Sequence, residues 1–104
     1  MAVNILDRIT IRLDDVGTWL ERWQREYLPG AQRRGMRVVR RWRSFADDGA
    51  VTVHVLWEID GVYPFYGMRG AAGGDPAVAE FWAWTDEHVV SRDRSVLEPM
   101  GDPS

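Results

Sequence analysis

His54 and Glu58 are the residues whose types and spacing most directly suggest chemistry. They stand four apart in the alternating run from Val51 to Ile59. A strand there puts both on the face opposite Val51, Val53, Val55, Trp57 and Ile59. A histidine in such a place can act as general acid or base, because its unperturbed pKa is about 6.5. At strand rise the two side chains lie roughly 13 Å apart, too far to touch. They can flank one ligand, or they can pair with arginine across a subunit contact. In the second case His54 is a hydrogen-bonded interface residue and does no chemistry.

A second group lies between this strand and the last helix: Tyr63, Phe65, Tyr66, Met68 and Arg69, with Gly67, Gly70, Gly73 and Gly74 around and after them. Aromatic faces with glycine hinges suit a lid over an apolar or aromatic ligand, with Tyr63 or Tyr66 donating a hydrogen bond and Arg69 clamping an anion. The plain alternative is a connection packed by its own aromatics. The working site is therefore His54, Tyr66 and Glu58 as catalytic groups, with Trp57, Tyr63, Arg69, Trp82, Tyr27 and His88 contacting substrate. His88 also reads as a helix C-terminal histidine favoured by the helix dipole.

Other chemistries find little support. The two histidines fall on different elements without metal-ligand spacing, and there is no cysteine for a thiolate nucleophile, disulfide or cysteine-bound metal. Neither a metal nor a cofactor is expected. The glycines do not follow a strand in the dinucleotide pattern, no serine sits in a nucleophile elbow, and no close carboxylate pair has glycosidase character. The run Arg33, Arg34, Arg37, Arg40, Arg41 and Arg43 around Trp42 reads first as a solvated hairpin edge that resists aggregation, and second as an anion site.

The elements that must position these groups follow from periodicity. Val3 to Leu13 alternates at its end and reads as a strand. Asp14 or Asp15 then caps a helix with a stripe at Val16, Trp19, Leu20, Trp23 and Tyr27, which Pro29-Gly30 should break or kink. Met36 to Phe45 and Ala50 to Asp60 form a hairpin about Asp47-Asp48-Gly49. Val62 to Ala72 is a short helix or structured loop. Asp75-Pro76 starts a helix running to about Val90 that buries Val78, Phe81, Trp82, Thr85 and Val89. Ser95 to Glu98 is a short edge strand, and Met100 to Ser104 should fray. The order β, α, β, β, α, β is the split βαβ, ferredoxin-like arrangement: an α+β fold whose four-stranded antiparallel sheet carries both helices on one face.

Composition agrees with one ordinary globular domain over residues 1–104, at 45% hydrophobic and 28% charged residues. Twelve aromatic residues are many for this length, which points to a cavity or subunit contact as well as a core. The net charge of -3 disfavours nucleic acid as a partner. All thirteen basic residues are arginine, which fits GC-rich codon usage and also fits bidentate pairing with carboxylates. The N-terminus meets Asp7 before any long apolar run, so neither a secretory signal nor a membrane anchor is expected and a cytoplasmic location follows.

The element order, the length and the segment from Asp75 to Pro99, with Asp75-Pro76, Trp82 and Leu97-Glu98-Pro99 at its landmarks, resemble the dimeric α+β barrel superfamily and its NIPSNAP-type branch. Trp57-Glu58 followed by an aromatic-rich segment is similar too. The resemblance implies a homodimer with two sheets packed face to face and a small-molecule site. Relatives include cofactor-independent monooxygenases of antibiotic biosynthesis, polyketide cyclases, and haem-degrading or haem-binding branches, so the fold does not choose the function. No catalytic signature of the antibiotic-type monooxygenases carries over residue by residue, and no spacing matches a haem ligand at His88. The resemblance thus implies a cofactor-independent monooxygenase, cyclase or isomerase acting on a hydrophobic cyclic or aromatic metabolite. The alternative is a non-catalytic NIPSNAP-like binding or interaction protein.

Overall fold

Alternation in Val3–Arg12 (β1) and Ala50–Ile59 (β3) is the strongest local signal, and the computed structural model, which describes residues 2–102, shows what it produces. β1 and β3 pair antiparallel at the centre of a four-stranded sheet. Arg37–Phe45 (β2) flanks β3 and Ser91–Leu97 (β4) flanks β1, giving the order β2-β3-β1-β4 with every pairing antiparallel. Asp48 and Gly49 turn the β2–β3 hairpin: the Asp48 carboxylate accepts from the Ala50 amide at 3.0 Å, and Gly49 adopts a φ of 84°.

The helices lie on one side. Val16–Arg22 (α1) continues through a π turn, Trp23–Tyr27, into Leu28–Arg33 (α2). Two physical facts place that wide turn. The buried positions Trp19, Trp23, Tyr27 and Ala31 recur at intervals of four, which in a pure α-helix drifts about 40° per step away from the core. Pro29 also lacks the amide that an α-helical bond to residue 25 would need. The proline is absorbed by the π turn and does not break the helix. Asp15 stands at the start of α1 without a side-chain capping bond, because a 3₁₀ turn, Leu13–Asp15, leads in. Gly35, at a φ of 95°, ends α2, with the Met36 amide reaching back to the Ala31 carbonyl.

Val62–Gly73 (α3) is a full helix, the first of the two forms expected for Val62 to Ala72. Pro76–His88 (α4) begins as its sequence requires: Pro76 takes the first turn and the Asp75 carboxylate accepts from the Ala77 amide at 3.0 Å. The helix buries Phe81 and Thr85. β4 opens four residues earlier than the expected Ser95, because Arg92, Asp93 and Arg94 carry charge on both faces and hide the alternation. Of the tail expected to fray, Met100 to Asp102 form no regular element, while Pro103 and Ser104 lie outside the described residues.

Between sheet and helices sits one apolar layer built from Ile5, Ile9, Ile11, Val51, Val55 and Ile59 of the central strands and Trp19, Trp23, Tyr27 and Phe81 of the helices. The other face of the sheet carries no helix. No helix among the described residues is long and apolar enough to cross a membrane.

Candidate functional site

β3 divides the candidate residues between two faces. His54 and Glu58 stand on the helix-free side, while Trp57 points the other way with Tyr27 and Trp82 into the aromatic layer. One protomer therefore does not bring His54 together with Trp57, Tyr27 or Trp82. Tyr63, 90% exposed, and Tyr66 project from the outer surface of α3, and Arg69 lies over the Phe65 ring at 5.8 Å. None of the three approaches His54. His88 is exposed at the end of α4, stacked on Trp84 with its Nδ1 at 2.8 Å from the Trp84 carbonyl oxygen. Among the described residues no three His, Cys, Asp or Glu side chains cluster as metal ligands would.

The helix-free face is built by register. Arg8 of β1 and Trp42 of β2 lie directly opposite His54 on either side, and Thr10 of β1 and Ser44 of β2 lie opposite Thr52. His54 Nε2 stands 3.0 Å from Ser44 Oγ, and the Thr10 and Thr52 hydroxyls are 3.0 Å apart. Arg8 forks onto Asp93 of β4 at 2.8 and 3.1 Å and also reaches Ser95 Oγ at 3.0 Å. That carboxylate raises the Arg8 pKa above its usual value, so the cation is fixed. Around these groups a depression of about 360 Å³ is lined by Arg8, Thr10, Ser44, Thr52, His54 and Ser91, with Arg92 and Asp93 at one edge. Glu58 is not free to join it: Arg37 of the same hairpin donates to it at 2.8 Å and contacts Asp60 at 2.9 Å.

A buried polar cluster on the other face eluded the sequence reading. Asp7, 3% exposed, occupies the apolar alternation of β1 between Ile5 and Ile9. It accepts from Trp57 Nε1 at 2.9 Å and from the Arg94 fork at 2.6 and 2.9 Å, and Arg94 also donates to Tyr27 Oη at 3.0 Å. Burial opposes the Arg94 charge, but Asp7 and Tyr27 more than offset it, and the pKa stands above the ordinary arginine value. Two sequence signals could have found the cluster: an acidic residue in the core phase of a strand, and the pair Asp7-Arg8 complementary to Asp93-Arg94 read antiparallel. The register confirms that match, with Asp7 opposite Arg94 and Arg8 opposite Asp93. One ion pair faces the helices and the other faces away.

Beside this cluster Arg92 covers the Trp82 ring at 4.7 Å and forks onto Asp86 of α4 at 2.5 and 3.2 Å. That hydrogen bond, against a smaller effect of burial, holds the Asp86 carboxyl below the ordinary aspartate value. The unfolded chain then binds more protons than the folded one as the pH falls, so this contribution is present above the ordinary value and lost below the folded one. In Arg92→Gln the fall in urea midpoint between about pH 5 and about pH 3 should be smaller than in the parent protein. Equal falls would show that the pair contributes nothing.

No family model and no curated protein matches the sequence. Solved structures do match in fold. A NIPSNAP domain protein from Burkholderia xenovorans is similar over 100% of both chains, at 21% identity and a TM-score of 0.73. A NIPSNAP family protein from Agrobacterium tumefaciens covers 96% of this chain and 94% of its own, at 14% identity and a TM-score of 0.69. A candidate antibiotic biosynthesis monooxygenase from Nitrosomonas europaea covers 95% of this chain and 90% of its own, at 6% identity and a TM-score of 0.65. At these identities the likeness is one of fold: the α+β, ferredoxin-like arrangement is shared, and the resemblance read from the sequence holds at that level.

Proposed function

We propose that the chain works as a homodimer in which the helix-free faces of two sheets meet, and that the depression around His54, roofed by the second sheet, holds a small molecule. The observation that carries this reading is the character of that face. It has no helix over it, it places half-buried Leu6 and Leu56 side by side on the two central strands, and it sets the hydroxyl- and imidazole-lined hollow next to them. Two-layer folds bury an exposed apolar strip against another layer, and a second copy supplies one.

The lining decides the ligand class. Imidazole, hydroxyl and guanidinium groups surround the hollow, with the Asp93 carboxylate at one edge, and Trp42 lies outside it, opposite His54 on β2. A cyclic or aromatic molecule bearing polar groups fits this better than a wholly hydrophobic one. Within the set, His54 is the group suited to moving a proton, so the reaction supported best is a cofactor-independent proton transfer of the kind isomerases and cyclases perform. Tyr66 and Arg69 enter this scheme only if they come from elsewhere than the same protomer's sheet face.

A second reading is favoured by the saturation of the polar groups: His54 is bonded to Ser44, Arg8 to Asp93, and Glu58 to Arg37. On that reading the face is a non-catalytic interface. His54→Ala separates the two. Mass spectrometry of small molecules carried through purification should show a ligand on the parent protein and at least a tenfold loss in the variant, with sedimentation unchanged. A variant that dissociates instead supports the interface, and one that keeps both ligand and dimer removes His54 from the site.

A further inference from the structure

The arginines from Arg33 to Arg43 do not form one surface. Arg34 lies back near Tyr27 and Asp75, Arg37 is taken by Glu58 and Asp60, and Arg40 stands opposite Leu56 on the helix-free face. Arg41 and Arg43 differ from these. They stand opposite Val55 and Val53, two residues of the apolar layer, so both rise from the helix-covered side of β2. Yet α1 does not cover them: both are exposed, as is Phe45 two residues further on.

The step left between α1 and β2 is a hollow of about 320 Å³ lined by Leu20, Arg41, Trp42, Arg43 and Val53. Its base is apolar, with Val53 3% exposed and Leu20 half-buried against the core. On one side the Arg41 guanidinium leans over the Trp23 ring at 5.6 Å. Charge sets this hollow apart. Elsewhere an arginine that faces a hollow meets a carboxylate there: Arg8 meets Asp93, Arg94 meets Asp7, and Arg12 lies with Asp14 and Asp48. Among the described residues neither Arg41 nor Arg43 pairs with a carboxylate, and no acidic side chain lines their hollow, although the chain as a whole is acidic. Two unneutralised guanidiniums, carried roughly 7 Å apart along a strand over an apolar base, suit a molecule with an acidic head and an apolar body.

We propose that this hollow binds an amphipathic organic carboxylate, its head held between Arg41 and Arg43 and its hydrocarbon or aromatic body laid on Leu20 and Val53. The site lies across the sheet from His54, so it does not depend on the function proposed for that face. A bare anion uses the guanidiniums and not the base, and a neutral body uses the base and not the guanidiniums. Tight binding needs both.

The test uses the full chain with 2-naphthoate as probe, read from the methyl resonances of Leu20 and Val53. Those signals should shift saturably with 2-naphthoate, while acetate, inorganic phosphate and neutral 2-naphthylmethanol each bind at least about tenfold more weakly. Arg43→Gln, a change at an exposed position, should weaken 2-naphthoate at least about fivefold. Arg40→Gln removes the same charge from the other face of the same strand and should leave the affinity as it was. Phosphate binding as tightly as 2-naphthoate overturns the proposal, since the arginines would then be a plain anion patch. So does 2-naphthylmethanol binding equally well, an equal loss in Arg40→Gln and Arg43→Gln, or the absence of any saturable shift.

Discussion

Asp7→Ala is expected to lower the stability of the fold by about 3 kcal/mol, the size seen when one partner of a buried ion pair is removed. The reason is not the lost attraction alone. Asp7 is the acceptor for both Trp57 Nε1 and the Arg94 fork, so its removal leaves an indole N–H and a guanidinium without their oxygens beneath α4. Arg94 keeps its bond to Tyr27 Oη and remains one-third exposed, which lets water reach part of it and keeps the cost below the upper end for such pairs. Asp7→Asn should lose less, since an amide oxygen still serves Trp57. The double variant Asp7→Leu with Arg94→Met should recover part of the loss, because it removes the unpaired cation but still leaves the Trp57 indole N–H without an acceptor. Urea unfolding of the parent, Asp7→Leu, Arg94→Met and the double variant gives the coupling directly. A loss below about 1 kcal/mol for Asp7→Ala would place the pair with solvent-exposed ion pairs instead.

That cluster also marks where the sequence could and could not be read. β1 and β3 were legible because one face is apolar throughout except at Asp7, and the hairpin and α4 were legible because Asp48-Gly49 and Asp75-Pro76 are local signals with local causes. The first four residues of β4 were hidden, since Arg92 and Arg94 face the helices and only their partners, Asp86 and Asp7, make that phase acceptable. The aromatic segment after β3 left helix and loop both open. Glycines at 67, 70 and 73 suggest hinges, yet α3 turns Phe65 and Met68 inward and tolerates the glycines on its open side. His54 and Glu58 were placed on the right face by alternation alone. Their neighbours came from register, which periodicity does not carry: Ser44 for His54, and Arg37 for Glu58. The burial of the Arg34 side chain near Tyr27 was illegible, because a run of six arginines gives no hint of which one folds inward.

Leu56→Arg should convert a dimer at micromolar concentration into a monomer, with the dissociation constant rising at least about 100-fold, or about 2.7 kcal/mol. Leu56 and Leu6 face each other across β3 and β1 at the middle of the helix-free side, with Arg40 opposite Leu56 on β2. Near a two-fold axis a patch meets its own copy, so one substitution acts twice, and the introduced guanidinium would meet its like as well as Arg40. The variant should keep its fold, because the side chain it replaces does not enter the aromatic layer under the helices and arginine already occupies the neighbouring position on β2. Circular dichroism and an unchanged near-ultraviolet tryptophan signal would establish that. Sedimentation velocity then decides: a parent protein that is already a stable monomer would remove the second sheet, and with it the roofed hollow at His54.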